Sequence, residues 1–284
     1  MTVDGSSRIH APAKLNLNLR VTGRRGDGYH LLDSVVVFTD FGDWIGLRPA
    51  ELDSVTLAGP FAGALGTAED NICLRALAVY RQAGGKAGSF AISIDKQIPV
   101  GAGLGGGSSD AAAILRHLNS RSPAPLPAPR LAEAALSLGA DVPVCLCGTA
   151  QRMRGIGDVL TPVDPAPHGH LVLAMADTVL PTADVFQTLR GQGVAEAAPL
   201  QNTEITGPLA DVVGAGNDLQ PAAMSLSPDI ARVLTELHAC ESVVAAQMSG
   251  SGGACFGLFA QAGHAAAAAA RLSKTGIWAV ATRF

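Results

Sequence analysis

The glycine-rich segment from Pro99 to Ala113 constrains the fold of this chain more than any other feature. Five glycines fall within Gly101–Gly107. The apolar run Phe90–Ile94 before it is typical of a strand, and the run Ala111–Leu118 after it is typical of an amphipathic helix. A glycine turn that opens a helix presents bare backbone N–H groups at the positive end of the helix dipole, where phosphate binds. The segment therefore predicts a phosphorylated ligand, in particular a nucleotide.

The context of this segment excludes two common phosphate-binding motifs. Gly101–Gly106 matches G-x-G-x-x-G, but the proline-rich stretch 120–129 stands where a dinucleotide fold needs an acidic residue for the ribose. Gly107-Ser108 stands where a Walker A loop needs Gly-Lys-Ser/Thr. The remaining interpretation is a phosphate loop that ends in Ser108 and Ser109. One of the two hydroxyls can cap the helix, and the other can contact a phosphate oxygen or Mg²⁺. A flexible glycine linker is the alternative, and the amphipathic helix that follows disfavours it.

Composition narrows the class of protein. The chain has 284 residues, of which 48% are hydrophobic and 15% charged, with a net charge of −4. The acidic balance predicts no nucleic-acid partner, and no apolar run approaches the ~20 residues that span a bilayer. Five scattered cysteines without a secretory leader predict reduced thiols and a cytoplasmic protein. Strands and helices alternate without a strict βαβ rhythm, which predicts an α+β fold with domains 1–155 and 156–284.

A strand over residues 8–22 carries polar residues at alternate positions. Lys14, Asn16 and Asn18 share one side, while leucines occupy the positions between them. Taken alone, this pattern favours a solvated outer face. The turn that follows ends in Tyr29-His30, and an aromatic ring beside an imidazole suits stacking on a planar base and reading its edge.

Two further positions leave alternatives open. Asp141 lies between Gly139 and the apolar run Val142–Cys147, so it is either a cap over Pro143 or a base paired with the charge of Lys14. The turn 249–253 lies between two strand-like segments. It is either a hairpin turn or a second backbone cradle for phosphates.

Taken together, these motifs resemble the GHMP kinase superfamily. The opening Pro-Ala-Lys-Leu-Asn with Gly-Tyr-His resembles in particular the branch that acts on a cytidine diphosphate-linked methylerythritol in non-mevalonate isoprenoid biosynthesis. The resemblance implies an α+β fold of two GHMP kinase domains with the active site in the interdomain cleft. It extends from about residue 8 to about residue 260. The segments that carry it are Ala11–Leu19, Arg25–His30, Asp95–Pro99, Pro99–Ser109, Leu138–Pro143 and Ser249–Cys255.

The resemblance implies a role for each matching residue in transfer of a phosphoryl group from ATP, with Mg²⁺, to the acceptor's 2-hydroxyl. Asp141 would be the catalytic base and Lys14 its partner. Asn71 and Lys96 would lie near the adenosine. The ATP phosphates would be held by Pro99, Val100, Gly101, Ala102, Gly103, Leu104, Gly105, Gly106, Gly107, Ser108 and Ser109.

On the acceptor side, the resemblance implies that Tyr29 and Phe186 sandwich the cytosine and that His30 reads its edge. Asn16 would help to position the substrate, and Gly250, Ser251 and Gly252 would approach its diphosphate. Thr182 belongs to the same segment as Phe186 and is assigned to the substrate with it. The implied partner is a small molecule, and the implied assembly is a monomer or a weak homodimer.

Two residues depart from the superfamily pattern, and two other functions stay open. Ala102 replaces a glycine, which is harmless if its φ is negative, and Asp110 replaces an asparagine, which is harmless if it points away from the phosphates. The alternatives are a kinase of the same family with another acceptor, and a nucleotide-binding regulator without phosphoryl transfer. Intact Lys14 and Asp141 disfavour the regulator.

Overall fold

The computed structural model describes residues 7–65, 70–192, 198–200 and 208–284. The chain forms two compact units, each assembled from three chain segments. Unit 1 takes its residues from Met1–Lys14, Phe41–Val100 and Gly105–Gly148, and unit 2 from Leu15–Asp40, Gly101–Leu104 and Thr149–Phe284. The division of the family domains at residue 155 stays a prediction.

Two strands contribute to both units. Strand β1 (Ser7–Asn16) changes unit after Lys14, and β3 (His30–Pro49) changes unit after Asp40. The sequence predicts separate strands over 31–40 and 44–48, but β3 is continuous. Gly42 lets β3 lie close to β1 at this point, because a Cβ there would lie 2.3 Å from the carbonyl oxygen of Ala11.

The described residues of unit 1 form a small sheet and four α-helices. Strand β5 pairs antiparallel with Trp44–Pro49 of β3 and parallel with β4. Helix α2 packs against the other three helices and buries five consecutive residues, 111–115, so it is surrounded by protein. The remaining elements are β4 (Ser54–Ala58), a short 3-10 helix (Ala62–Ala64), α1 (Ile72–Gln82), β5 (Phe90–Asp95), α2 (Gly106–Arg121), α3 (Ala128–Leu138) and α4 (Val142–Cys147).

Unit 2 holds the other elements. Strands β2 and β6 pair antiparallel with the first half of β3, and β6 forms a hairpin with β7. A four-stranded antiparallel sheet has the order β11-β8-β10-β9. The elements are β2 (Arg20–Arg24), β6 (Gln151–Gly155), β7 (Val159–Pro162), β8 (His170–Met175), α5 (Thr182–Gly191), α6 (Leu209–Gly214), α7 (Gln220–Leu226), α8 (Pro228–His238), β9 (Val243–Met248), β10 (Cys255–Phe259), α9 (Ala262–Ser273) and β11 (Trp278–Arg283).

The hydrophobic core of unit 2 explains why its helices form where they do. Ile230, Val233 and Leu237 follow the helical period on α8, and all three are buried in one cluster with Val172 and Cys255 of the sheet. Burial of a leucine or isoleucine side chain stabilises a fold by about 1.5–3 kcal/mol. The predicted helix at 228–239 and the predicted strands at 171–176 and 254–260 are therefore confirmed within a residue or two.

Three predictions about local structure are wrong. Residues 8–22 form two strands rather than one, and the polar side chains of Lys14, Asn16 and Asn18 are buried rather than solvated. The predicted loop 152–164 contains most of the hairpin β6–β7. Within the described ranges, no helix combines the length and apolar character needed to cross a bilayer.

Candidate active site

Lys14 and Asp141 form an ion pair in unit 1. Lys14 Nζ donates to Asp141 Oδ2 over 2.9 Å. The Lys14 side chain is 4% exposed and that of Asp141 is 39% exposed. Asp141 stands at the start of α4, but its side chain makes no capping hydrogen bond, so the cap interpretation is wrong. The predicted pairing with Lys14 is confirmed: the partly exposed carboxylate of Asp141 accepts from the buried ammonium of Lys14.

Helix α2 begins in a backbone cradle without a side-chain cap. Its N-cap residue is Gly105, which has φ +64° in the left-handed region. The helix starts at Gly106, so Ser108 and Ser109 lie inside the first turn and the prediction that one of them caps it is wrong. Ser109 instead donates its hydroxyl to the Pro12 carbonyl oxygen over 2.7 Å. The first N–H groups of a helix have no partner within the helix, so this uncapped end fits an anion such as phosphate.

The start of α2 lies against the Lys14 side chain. A Cβ on Gly105 would stand 3.1 Å from Lys14 Cβ and 3.4 Å from Lys14 Cε. Two residues further along the chain, a Cβ on Gly107 would stand 3.7 Å from Cγ2 of Ile72 in α1. Asn71 is the N-cap of α1 and accepts from the Cys73 N–H over 2.9 Å. The ion pair, the uncapped start of α2 and Asn71 are therefore neighbours within unit 1.

The structure buries the side chain of Lys96, a residue that the resemblance places near the adenosine. Its side chain is 2% exposed, and its Nζ donates to Asp43 and, over 2.8 Å, to Asp110. A contact of this ammonium with adenosine is at odds with such burial. The Nζ lies beneath the start of α2, 2.9 Å from the place of a Cβ on Gly106. The Asp110 carboxylate accepts from Lys96, and that it points away from bound phosphates stays a prediction.

The remaining residues of the predicted ATP loop are divided between the units. Pro99 and Val100 belong to unit 1, with Pro99 buried, whereas Gly101, Ala102, Gly103 and Leu104 belong to unit 2. The only non-glycine with positive φ among the described residues is Ser242. The φ of Ala102 is therefore negative, so alanine can replace the glycine at this position without strain. A group of three or more His, Cys, Asp or Glu side chains that could hold a metal is not found in the described ranges.

In unit 2, the segment Gly101–Leu104 lies directly on the turn between β9 and β10. The Ala254 N–H donates to the Ala102 carbonyl over 3.0 Å, and a Cβ on Gly103 would lie 2.6 Å from the Ser249 carbonyl oxygen. A Cβ on Gly252 would lie 2.2 Å from the Gly103 nitrogen. The turn is thus a hairpin turn, as one alternative predicts, and its glycines permit backbone to approach backbone.

Asn16 and Asn217 hold this turn. The Asn16 N–H donates to Ser249 Oγ over 3.1 Å, and its side chain donates to Ser34 Oγ over 2.7 Å. Asn217 donates to the carbonyl oxygens of Met248 and Gly250 over 2.9 and 2.8 Å. A Cβ on Gly250 would stand 3.4 Å from Asn16 Oδ1. The backbone N–H of Asn16 and the side-chain amide of Asn217 therefore hold the loop that the resemblance assigns to the acceptor diphosphate.

His30 stacks on Phe186 elsewhere in unit 2. Their ring centroids are 4.9 Å apart and the planes differ by 23°. Tyr29 is 61% exposed. The ring stacked on Phe186 is thus His30, and the cytosine that the resemblance places between Tyr29 and Phe186 stays a prediction. Burial lowers the pKa of His30 below its usual value, and the charges of Arg190 and Arg24 lower it further, so the ring is neutral near pH 7.

Thr182 and Ser251 connect the segment of Phe186 to the late glycine turn. Their hydroxyl oxygens lie 2.8 Å apart in a hydrogen bond at the surface of unit 2. Each hydroxyl can both donate and accept, so the pair can also bind an oxygen of a ligand. The two predicted substrate residues are thus brought together by α5 and the β9–β10 turn.

Sequence reasoning missed Asp43, Arg24 and Arg190. Asp43 lies inside β3, where the sequence suggests a gap between two strands. An acidic residue in an apolar run is rarely buried without a partner, and that signal could have singled it out. The arginines next to His30 carry no such local signal.

Comparison with known proteins shows the family to which this chain belongs. The GHMP kinases N terminal domain family matches residues 71–149, and the GHMP kinases C terminal family matches residues 201–277. The 4-diphosphocytidyl-2-C-methyl-D-erythritol kinase of Cereibacter sphaeroides strain ATCC 17029 is 44% identical over 281 residues, which cover 96% of this chain and 97% of that protein. The kinase of the same name from Paracoccus denitrificans is 45% identical, covering 97% of this chain and 96% of that one.

The chain belongs to the 4-diphosphocytidyl-2-C-methyl-D-erythritol kinase family. A crystal structure of 4-(cytidine 5'-diphospho)-2C-methyl-D-erythritol kinase matches it with a TM-score of 0.81 and 33% identity, covering 98% of both chains. The Methanococcus jannaschii mevalonate kinase matches with a TM-score of 0.67 at 12% identity, over 100% of this chain and 99% of that one, which shows a shared fold. The predicted α+β GHMP kinase fold is confirmed for this family member.

Proposed function

We propose that this protein transfers the γ-phosphoryl group of ATP to the 2-hydroxyl of 4-diphosphocytidyl-2-C-methyl-D-erythritol, a step of non-mevalonate isoprenoid precursor biosynthesis. One observation carries the proposal. The Lys14–Asp141 pair and the uncapped start of α2 are neighbours in unit 1, through the contact of Gly105 with Lys14. A proton acceptor beside a phosphate cradle is what a hydroxyl needs to attack a bound phosphoryl group.

Asp141 acts as the base in this proposal. Its side chain is 39% exposed, so a hydroxyl can reach the carboxylate and give up its proton there. Lys14 donates to the same carboxylate and holds its orientation. The ammonium also offsets the negative charge that develops beside it during transfer.

The start of α2 binds the phosphates. Its N–H groups and dipole attract the anion, and Gly105, Gly106 and Gly107 keep side chains out of the cradle. ATP supplies the phosphoryl group, and Mg²⁺ neutralises phosphate charge. Because the Ser109 hydroxyl is bonded to Pro12, we assign the Mg²⁺ contact to Ser108, which is half-buried. Asn71 remains our candidate for the adenosine side.

Unit 2 provides the acceptor-binding residues. We assign the cytosine to Tyr29, His30 and Phe186, with the neutral imidazole able to donate from one nitrogen and accept at the other. The diphosphate is assigned to the turn Gly250–Gly252, with Thr182 and Asn16 beside it. The net charge of −4 supports the absence of a nucleic-acid partner. We place the enzyme in the cytoplasm as a monomer or a weak homodimer.

The substrate assignment is tested by coupled ADP release from the purified chain. We expect turnover with ATP only when 4-diphosphocytidyl-2-C-methyl-D-erythritol is present. Homoserine and mevalonate serve as comparison acceptors, because relatives of the same fold are named for them. Equal turnover with homoserine or mevalonate contradicts the proposed acceptor but still supports a kinase activity. ATP binding without turnover on any acceptor favours the regulator.

Tyr29→Ala should raise KM for the cytidine acceptor by about 10- to 100-fold, since stacking on a base is worth about 1–3 kcal/mol. KM for ATP should stay within about threefold of wild type. Because Tyr29 is 61% exposed, the change costs little stability. Leu52→Ala is the matched control, because Leu52 is a 78% exposed apolar side chain in unit 1. Equal changes in both KM values would remove Tyr29 from the acceptor site.

A further inference from the structure

The turn between β9 and β10 has a run of backbone N–H groups without a protein partner. The N–H groups of residues 250–253 donate to no atom of the described residues, although Gly250, Gly252 and Gly253 are buried. Gly250 has φ +59°, in the left-handed region. Successive N–H groups around a left-handed residue form a concave site for an anion. Because buried N–H groups are rarely left unpaired, this turn suits a ligand with several acceptor oxygens.

Two carbonyl groups of the same turn are held by one side chain. The Asn217 side-chain NH₂ donates to the carbonyl oxygens of Met248 and Gly250, over 2.9 and 2.8 Å. Its Oδ1 accepts the Leu219 N–H over 2.9 Å, which fixes the orientation of the amide. Asn217 is 7% exposed, so water competes little for these hydrogen bonds. Because both carbonyl oxygens are bonded to Asn217, neither is free to turn toward a bound phosphate and repel it.

The next residue, Asp218, connects Asn217 to strand β2. The Asp218 N–H donates to the Leu19 carbonyl oxygen over 2.9 Å, and its Oδ2 accepts the Val21 N–H over 2.7 Å. Arg20 Nε also donates to Oδ2, over 3.3 Å. The backbone and the carboxylate of one residue therefore hold this part of the chain against residues 19–21.

Strand β2 continues this connection to the residues assigned to the base. Arg24 of β2 is the register partner of His30 at the start of β3, and His30 stacks on Phe186. The turn is therefore connected to the base site through Asn217, Asp218 and β2, all of which belong to unit 2. Because each step is a hydrogen bond or a strand pairing, the fold fixes the separation between the turn and the base site.

We propose that Asn217 and Asp218 are positioning residues, which hold the turn Gly250–Gly252 where the diphosphate of a base-bound nucleoside diphosphate reaches it. This inference rests on the proposed function, in which that turn binds the acceptor diphosphate. Asn217 orients the backbone of the turn, and Asp218 holds Asn217 relative to β2. The two residues act on the acceptor through the turn, so they select a nucleoside diphosphate over the nucleoside alone.

Calorimetric binding of cytidine 5'-diphosphate and of cytidine to wild type and Asn217→Ala tests this proposal. Wild type should bind the diphosphate more tightly, because cytidine has no phosphate oxygens for the turn. Asn217→Ala should weaken diphosphate binding by about tenfold to a hundredfold, the loss expected for one or two charge-assisted hydrogen bonds, and should change cytidine binding by less than about threefold. In turnover assays, KM for the cytidine-linked acceptor should rise, while KM for ATP stays within about threefold. A general loss of stability would not single out the diphosphate.

Asn18→Ala is the matched control, because Asn18 is 1% exposed and its amide also bridges two backbone groups of unit 2. It accepts the Val35 N–H over 2.8 Å and donates to the Val212 carbonyl oxygen over 3.1 Å. The control should lose comparable stability in thermal unfolding and keep the preference of wild type for the diphosphate. An unchanged ratio of the two affinities in Asn217→Ala overturns the inference, as does wild type that binds both ligands equally. Wild type that binds neither ligand contradicts the proposed acceptor instead, so the two failures are distinguishable.

A second measurement keeps the proposal testable if Asn217→Ala does not fold. In wild type labelled with ¹⁵N, the backbone amide resonances of residues 250–253 should shift on addition of cytidine 5'-diphosphate and stay in place with cytidine. The side-chain NH₂ of Asn217 should exchange its hydrogens with water more slowly in the diphosphate complex, because the ligand stabilises the turn conformation that Asn217 holds. An exchange rate of this NH₂ group that the diphosphate does not change contradicts the proposal.

Discussion

Asp141→Asn is expected to lower kcat by about a thousandfold or more and to leave the affinity for ATP within a few-fold of wild type. Asparagine keeps the size of the side chain but cannot take a proton from the acceptor hydroxyl. It also removes the ion pair from Lys14, whose side chain is 4% exposed. The phosphate cradle at the start of α2 is built from backbone and glycine, so it is not altered.

The measurement is steady-state turnover with both substrates, together with calorimetric binding of ATP. Asp229→Asn is the matched control, since Asp229 lies in the first turn of α8, close to the helix start as Asp141 is in α4, and pairs with an arginine, Arg232, at the exposed surface. The control should keep normal turnover. If Asp141→Asn turns over at a rate near that of wild type, Asp141 is not the base, and the function of the pair with Lys14 is structural.

The sequence predicts the residues of this pair but not their surroundings. A lone aspartate before an apolar run and a lysine in a polar strand pattern suffice to suggest the pairing, and the structure confirms it. The same strand pattern wrongly predicts a solvated face. Its polar side chains are buried because distant residues satisfy them: Asn18 Oδ1 accepts the Val35 N–H over 2.8 Å, and Asn16 donates to Ser34.

Long-range pairing also explains the other errors. Capping rules place the start of α2 near Ser108, because serine is a common N-cap. The left-handed Gly105 ends the loop three residues earlier, and Ser109 is used by Pro12, almost one hundred positions away in sequence. Asp43 and Lys96 are separated by 53 residues, so no local pattern connects them. Hydrophobic periodicity in the sequence therefore predicts helices and strands, whereas the partners of buried polar groups depend on the fold.

Gly252→Ala is expected to lower kcat/KM by about a hundredfold, because a displacement of ~1 Å in a positioning loop costs that much. The added Cβ would lie 2.2 Å from the Gly103 nitrogen and 2.3 Å from the Ala102 carbonyl carbon. Both contacts are to backbone, so no side-chain rotation relieves them. The segment Gly101–Leu104 or the turn between β9 and β10 must move, at a cost of about 1–3 kcal/mol of stability.

A graded series of glycine-to-alanine variants separates displacement of the loop from the loss of glycine itself. Gly263 in α9 has open space around it, so Gly263→Ala should be neutral or slightly stabilising. A Cβ on Gly253 would meet Cγ2 of Thr178 at 3.1 Å, a contact that side-chain rotation can relieve, so its effect should be intermediate. Thermal unfolding of each variant shows which remain folded at the assay temperature. If the three variants have equal kcat/KM, the contact of the two glycine segments does not position the reactants, and the late turn is only a connection between β9 and β10.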